Sequence, residues 1–87
     1  MNFLKFDLGK LTPDKVVEVT LSGSVANVRL LDYENMYNYQ HGHNYDCIGG
    51  LVKKSPVEIK IPGRDHWFIV VDMKGLEGTT DASVKIH

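Results

Sequence analysis

Apolar and polar residues alternate with a period of two along most of this chain. Leu4, Phe6 and Leu8 alternate with Phe3, Lys5 and Asp7, which predicts a half-buried strand. Gly9 to Asp14, with Pro13, reads as a turn. Val17, Val19 and Leu21 then share one face against Val16, Glu18 and Thr20. After Ser22-Gly23 the alternation resumes, with Ala26, Val28 and Leu30 opposite Asn27 and Arg29. Two alternating runs joined by a glycine-containing pair predict a β-hairpin.

Residues 32 to 47, DYENMYNYQHGHNYDC, follow neither period cleanly. A short helical turn around Glu34 to Tyr39 fits part of the stretch, and the whole reads as one long ordered loop. Loops of that length in small domains are usually functional or mobile. Regular alternation returns after Gly49-Gly50. Val57, Ile59 and Ile61 alternate with Glu58 and Lys60 between Pro56 and Pro62, and proline at strand ends removes no needed ladder bond. Pro62-Gly63-Arg64-Asp65 is turn chemistry. HWFIVVDMK carries Trp67, Ile69 and Val71 on one face and Phe68 and Val70 on the other, the pattern of a central strand covered on both sides. Gly75 to Asp81 reads as a loop, and Ala82 to Ile86 as a last strand with Val84 and Ile86 inward.

About six strands with no amphipathic helix predict an all-β fold, a small β-sandwich or barrel-like domain with one long Tyr/His-rich loop. The 87 residues make one domain, 1–87. A chain this short buries only about 60–65% of its unfolded surface. The stability left over is on the order of 5 kcal/mol, which leaves little to spend on a deep catalytic cleft. A non-catalytic role is therefore expected. Ten basic and eleven acidic residues, net charge -1, disfavour nucleic acid, whose binding rests on neutralising many phosphates. MNFLKFDLGK has no continuous apolar run and nothing approaches the ~20 apolar residues of a membrane span, so neither a signal peptide nor a membrane partner is read. One cysteine, Cys47, makes no internal disulfide, and a reducing cytoplasm suits such a domain.

His41, His43, Asp46 and Cys47 offer the atoms a zinc or copper ion would use, and His-x-His on a strand places two imidazoles on one face. Structural zinc, however, takes four ligands at recognisable spacing, and the other histidines are the distant His66 and His87. No metal and no cofactor are expected. Cys47 as a nucleophile needs an electropositive setting and a positioned base, which no spacing here supplies; a lone cysteine entering a strand is more often a small buried hydrophobe. Gly42, Gly49 and Gly50 do not form a phosphate loop. Asp72, on the covered strand, must find a partner if buried, and Arg29, Lys74 or backbone N–H groups could supply one.

The tyrosines carry the strongest functional signal. Tyr33, Tyr37, Tyr39 and Tyr45 fall in one short stretch with His41 and His43, interleaved with Asn35, Asn38, Gln40 and Asn44. Tyrosine gives broad amphipathic contact area with few rotatable bonds, which is why binding surfaces use it. With His66 and Trp67, these side chains are the candidate contacts for a small molecule, a glycan or a protein partner. The alternative use of the same residues is to cap the open end of the sandwich. A second functional class is assembly, with an edge strand or the loop forming a homo-oligomer.

The order of landmarks also resembles a bacterial family. Asp-Leu-Gly at 7–9, VVEVTLSGSVANVRLLD, Gly49-Gly50, Ser55-Pro56, Ile61-Pro62, His66-Trp67 and Val71-Asp72 recur together in the domain-of-unknown-function family numbered eighteen eighty-three, across essentially the whole chain. Asp65 stands where that pattern has glycine before His-Trp. The resemblance implies a compact β-sandwich found alone or beside Toll/interleukin-receptor-type domains, hence a sensing or interaction role. It implies no activity, cofactor or catalytic residue.

Overall fold

The computed structural model describes residues 3–87. Its elements follow in the order β1 (Phe3–Leu11), β2 (Val16–Gly23), β3 (Ala26–Asp32), α1 (Tyr33–Gln40), β4 (Ile48–Val52), β5 (Val57–Lys60), β6 (Asp65–Asp72) and β7 (Thr80–Ile86). The strands make two antiparallel sheets, β1-β6-β3-β4 and β5-β2-β7, packed face to face as a sandwich. Between them lies the main core, built by Val17, Val19, Ala26, Val28, Leu30, Ile59, Ile61, Trp67, Ile69 and Val71. These are the positions the alternation assigns to the inward faces, because successive side chains on a strand point to opposite sides.

β6 is the covered central strand that its two apolar faces predict. Trp67, Ile69 and Val71 enter the main core, while Phe68 and Val70 join a second cluster with Leu31, Met36 and Tyr39. The cover over that second face is α1. The helical turn read around Glu34 to Tyr39 is present and longer than expected: residues 33–40 form two helical turns, so that only the stretch from His41 to Cys47 remains of the long loop. The Asp32 carboxylate caps the helix by accepting from the Asn35 N–H at 2.9 Å. Met36 and Tyr39, three apart and so on one helical face, are the residues it buries. With only that pair turned inward, the helical period is too sparse to stand out in the sequence.

Three further expectations are corrected. The predicted hairpin does not form, for β2 pairs with β5 and β7 whereas β3 pairs with β4 and β6. Ser24 and Val25 arch from one sheet to the other, so the two alternating runs face each other across the core. Alternation identifies a strand's buried face; it does not identify its neighbour. The arch is tied by the Ser24 N–H donating to Thr79 O at 2.9 Å, and Gly23 sits at φ 113°, where a side chain would strike the Thr79 carbonyl. Second, β4 adds a seventh strand that the glycine pair conceals, since glycine weakens any strand signal. At the far end, Val84 packs on the core as expected but Ile86 stays 43% exposed.

Gly49 is fixed by close approach. Its φ is 107°, and a β-carbon there would land on the Val28 carbonyl oxygen of the paired strand. Gly49→Ala should cost about 1–3 kcal/mol of stability. Gly63→Ala, with open space around it and no positive φ, should leave the thermal midpoint nearly unchanged; paired melting curves check both.

Candidate functional site

Asp72 ends β6 on the face beneath α1, and its side chain has no exposure to solvent. Burial by itself would raise its pKa, yet the hydrogen bonds it receives outweigh that cost. Arg29 Nε donates to Oδ2 at 2.9 Å, Tyr39 OH to the same oxygen at 2.6 Å, Asn27 Nδ2 to Oδ1 at 2.8 Å and the Lys74 N–H to Oδ1 at 3.2 Å. Together they hold the carboxyl at about 2, so it is ionised at any physiological pH. Burial, with help from Asp72, pushes the Tyr39 phenol upward, so it stays a proton donor. The Arg29 guanidinium is held protonated chiefly by its bond to Asp72. Lys74 Nζ lies over the Tyr39 ring at 4.3 Å and nearer that ring than Tyr45, at 5.7 Å. Of the partners expected for a buried Asp72, Arg29 and a backbone N–H are present, whereas the Lys74 ammonium lies over the tyrosine ring instead. This cluster is fully satisfied and faces inward; it positions the helix rather than a ligand.

What the helix turns outward is different. Tyr33 is 63% and Tyr37 54% exposed, whereas Tyr39 is 1% exposed. Between α1 and β1 runs a shallow groove of about 160 Å³ lined by Lys5, Tyr33, Met36, Tyr37, Gln40 and Phe68. Its aromatic wall is continuous: His66 stacks on Phe68 at 4.7 Å with the planes 10° apart, and Tyr33 lies 5.9 Å from His66 and 6.5 Å from Phe68. Lys5 Nζ sits over the Phe68 ring at 5.2 Å and donates to Gln40 Oε1 at 3.3 Å, placing a cation and an amide at one end. His66 Nε2 meets Asp7 Oδ1 at 2.6 Å, and the Asp7 carboxyl is held low first by the Gly9 N–H and then by His66. At the end of the helix His41 stacks on Tyr37 at 3.9 Å, with His43 6.2 Å from each ring.

The candidate residues thus divide three ways. Tyr33, Tyr37, His41, His43 and His66 reach the surface around this groove. Tyr39 and Tyr45 pack edge to face at 5.0 Å in and beside the second core cluster. Trp67 points the opposite way, into the main core, with its indole N–H donating to Gly63 O at 2.9 Å. Sequence reasoning missed Lys5 and Phe68, and named Gln40 only among the amides interleaved with the tyrosines. Phe68 was traceable: the outer face of β6 needed a cover, and only the 32–47 stretch was free to supply one.

The metal and thiol chemistry considered for residues 41–47 does not assemble. Among the described residues, His41, His43, Asp46 and Cys47 bring no three ligand atoms together. Cys47 is partly buried with its sulfur 4.0 Å from Arg29 Nη1. A hollow of about 340 Å³ beside Phe3, Met73 and Thr80 touches Asp72, but the carboxylate there is already bonded as described. No described helix is long and apolar enough to cross a membrane.

Asp72 makes stability pH-dependent. Because its folded pKa lies below the ordinary 3.8, its contribution, about 2 kcal/mol, is present above about pH 4 and is lost as pH falls toward 2. Asp72→Asn should lower the melting temperature at pH 7 and flatten its fall between about pH 4 and pH 2. Tyr39→Phe, which removes one bond to a charged group, should cost about 1.5–3 kcal/mol at neutral pH in denaturant titrations.

No curated protein and no solved structure matches this chain. The model of one family does match, over residues 1–87, and the landmarks that pointed to it fall on structural positions: Gly49 against β3, Trp67 in the main core and Asp72 at the centre of the buried cluster. The chain belongs to the family described as Domain of unknown function (DUF1883).

Proposed function

We propose that this domain is a non-catalytic binding module of the bacterial cytoplasm, which takes one ring of a ligand into the groove between α1 and β1. The observation that carries the reading is the exposure of Tyr33 and Tyr37 beside the stacked His66–Phe68 pair. A helix that needed its tyrosines only for packing would turn them inward, as it turns Tyr39. At about 160 Å³ the groove is smaller than the ~300–1,000 Å³ of sites that engulf a whole small molecule. It fits a sugar ring or a planar heterocycle lying against the aromatic wall, with Lys5 and Gln40 meeting a polar substituent. The rest of the ligand, whether glycan, small molecule or partner protein, extends into solvent.

In support of non-catalytic binding, the histidine of the aromatic wall, His66, is committed to Asp7, and Asp72 is sealed beneath the helix. The cytoplasmic setting agrees with a single, unpaired Cys47.

A glycan microarray together with a library of planar heterocycles, followed by calorimetric titration of each hit, tests the reading. Tyr33→Ala and Tyr37→Ala should each weaken a hit about tenfold, or roughly 1.4 kcal/mol, with melting temperatures near the wild type. Tyr39→Ala should instead destabilise the fold by about 3–5 kcal/mol. Hits whose affinity is the same in both exposed-tyrosine variants, or an absence of hits, would remove the groove as the binding site.

A further inference from the structure

A sandwich has four strand edges, and here three are guarded against pairing. β1 carries Lys5, Asp7 and Lys10, and its register shifts between Asp7 and Gly9. β5 is four residues long, bears Glu58 and Lys60, and lies between Pro56 and Pro62. β7 carries Asp81 and Lys85. Charge, proline, shortness and bulges are the devices that keep edges apart. β4 carries no charge and no proline within its five residues, and its charges stand only beyond its ends, at Asp46, Lys53 and Lys54: its sequence is IGGLV, with Ile48 42% and Leu51 49% exposed. It ends the four-stranded sheet on the side away from the aromatic groove.

We propose that β4 pairs with β4 of a second copy of this chain, antiparallel about a two-fold axis at Gly50, joining two sheets into one continuous sheet. Three observations select this partner and this register. For the inner faces of both sandwiches to lie on the same side of the joined sheet, residues of the same face must stand opposite each other. In β4, Ile48, Gly50 and Val52 stand opposite Leu30, Val28 and Ala26, all core positions, while Gly49 and Leu51 lie on the outer face. Pairing about Gly50 keeps this order: Ile48 meets Val52 of the other copy, and Leu51 meets Gly49.

The same register covers what is exposed. Each Leu51 lies over a glycine that has no side chain of its own, and each Ile48 gains an apolar neighbour. Beyond the strand ends, Asp46 comes opposite Lys54 of the second copy at both ends of the pair. Shifting the pairing by the two residues that preserve the faces would put Asp46 opposite Val52, or Lys54 opposite Ile48, so only the Gly50-centred register pairs the charges. Both residues are exposed, and among the described residues neither belongs to an ion pair within its own chain.

Sedimentation equilibrium of the whole chain from about 1 μM to about 1 mM, spanning the affinities expected of a small edge interface, tests this. The expected result is a rise to twice the monomer mass. Leu51→Lys, at an exposed position, should keep the wild-type melting temperature and stay monomeric. Asp46→Lys and Lys54→Asp should each weaken dimerisation about tenfold, and the double variant Asp46→Lys/Lys54→Asp should recover it. A monomer throughout, a dimer indifferent to Leu51→Lys, or a charge reversal that the double variant fails to rescue would overturn the proposal. None of these readouts involves the groove, so either reading can fail without the other.

Discussion

A carboxylate taken out of water must be given partners, and Asp72 receives four: Asn27 and Arg29 from β3, Tyr39 from α1 and the N–H of Lys74 just beyond β6. An uncompensated buried charge would cost several kcal/mol, comparable with the whole stability of a domain of this size. The four donors are therefore fixed relative to one another. Because one of them is on the helix, the cluster dictates where α1 lies on the sheet. Eight residues are too few for a helix to hold its shape in water, so α1 depends on that bond and on the burial of Met36 and Tyr39.

The surface chemistry follows from this placement. Once Tyr39 is drawn down to Asp72, Tyr33 and Tyr37 lie on the exposed side of the helix, beside Lys5 of β1 and the His66–Phe68 stack. The aromatic groove is thus a consequence of a buried ion pair on the other side of the same helix. The sheet also separates its two outward-facing opportunities. The groove belongs to the β1–β6 side, and the uncharged edge to β4, two strands from β6.

The sequence was legible where one face of a strand meets the core. Val17 and Val19, Ala26 to Leu30, and both faces of β6 were all readable, because burial of a period-two face leaves a strong imprint. It was illegible where structure depends on which elements meet. The hairpin reading failed because β2 and β3 sit in opposite sheets, a choice made by the Gly23 arch and its bond to residue 79. The helix was legible only as one short turn, Glu34 to Tyr39, because Met36 and Tyr39 alone mark its inner face. Among the tyrosines, nothing local distinguishes Tyr37 from Tyr39; what separates them is a carboxylate 33 residues further along the chain.

Native-state hydrogen exchange on the wild type and on Tyr39→Phe most directly tests whether Asp72 holds the helix. The amides from Tyr37 to His41, where the last turn closes through the His41 N–H to Tyr37 O at 3.1 Å, should exchange about tenfold or more faster in the variant, while those of β2 and β7 should be far less affected. Unchanged exchange in the helix, or an equal loss of protection in every strand, would contradict the account.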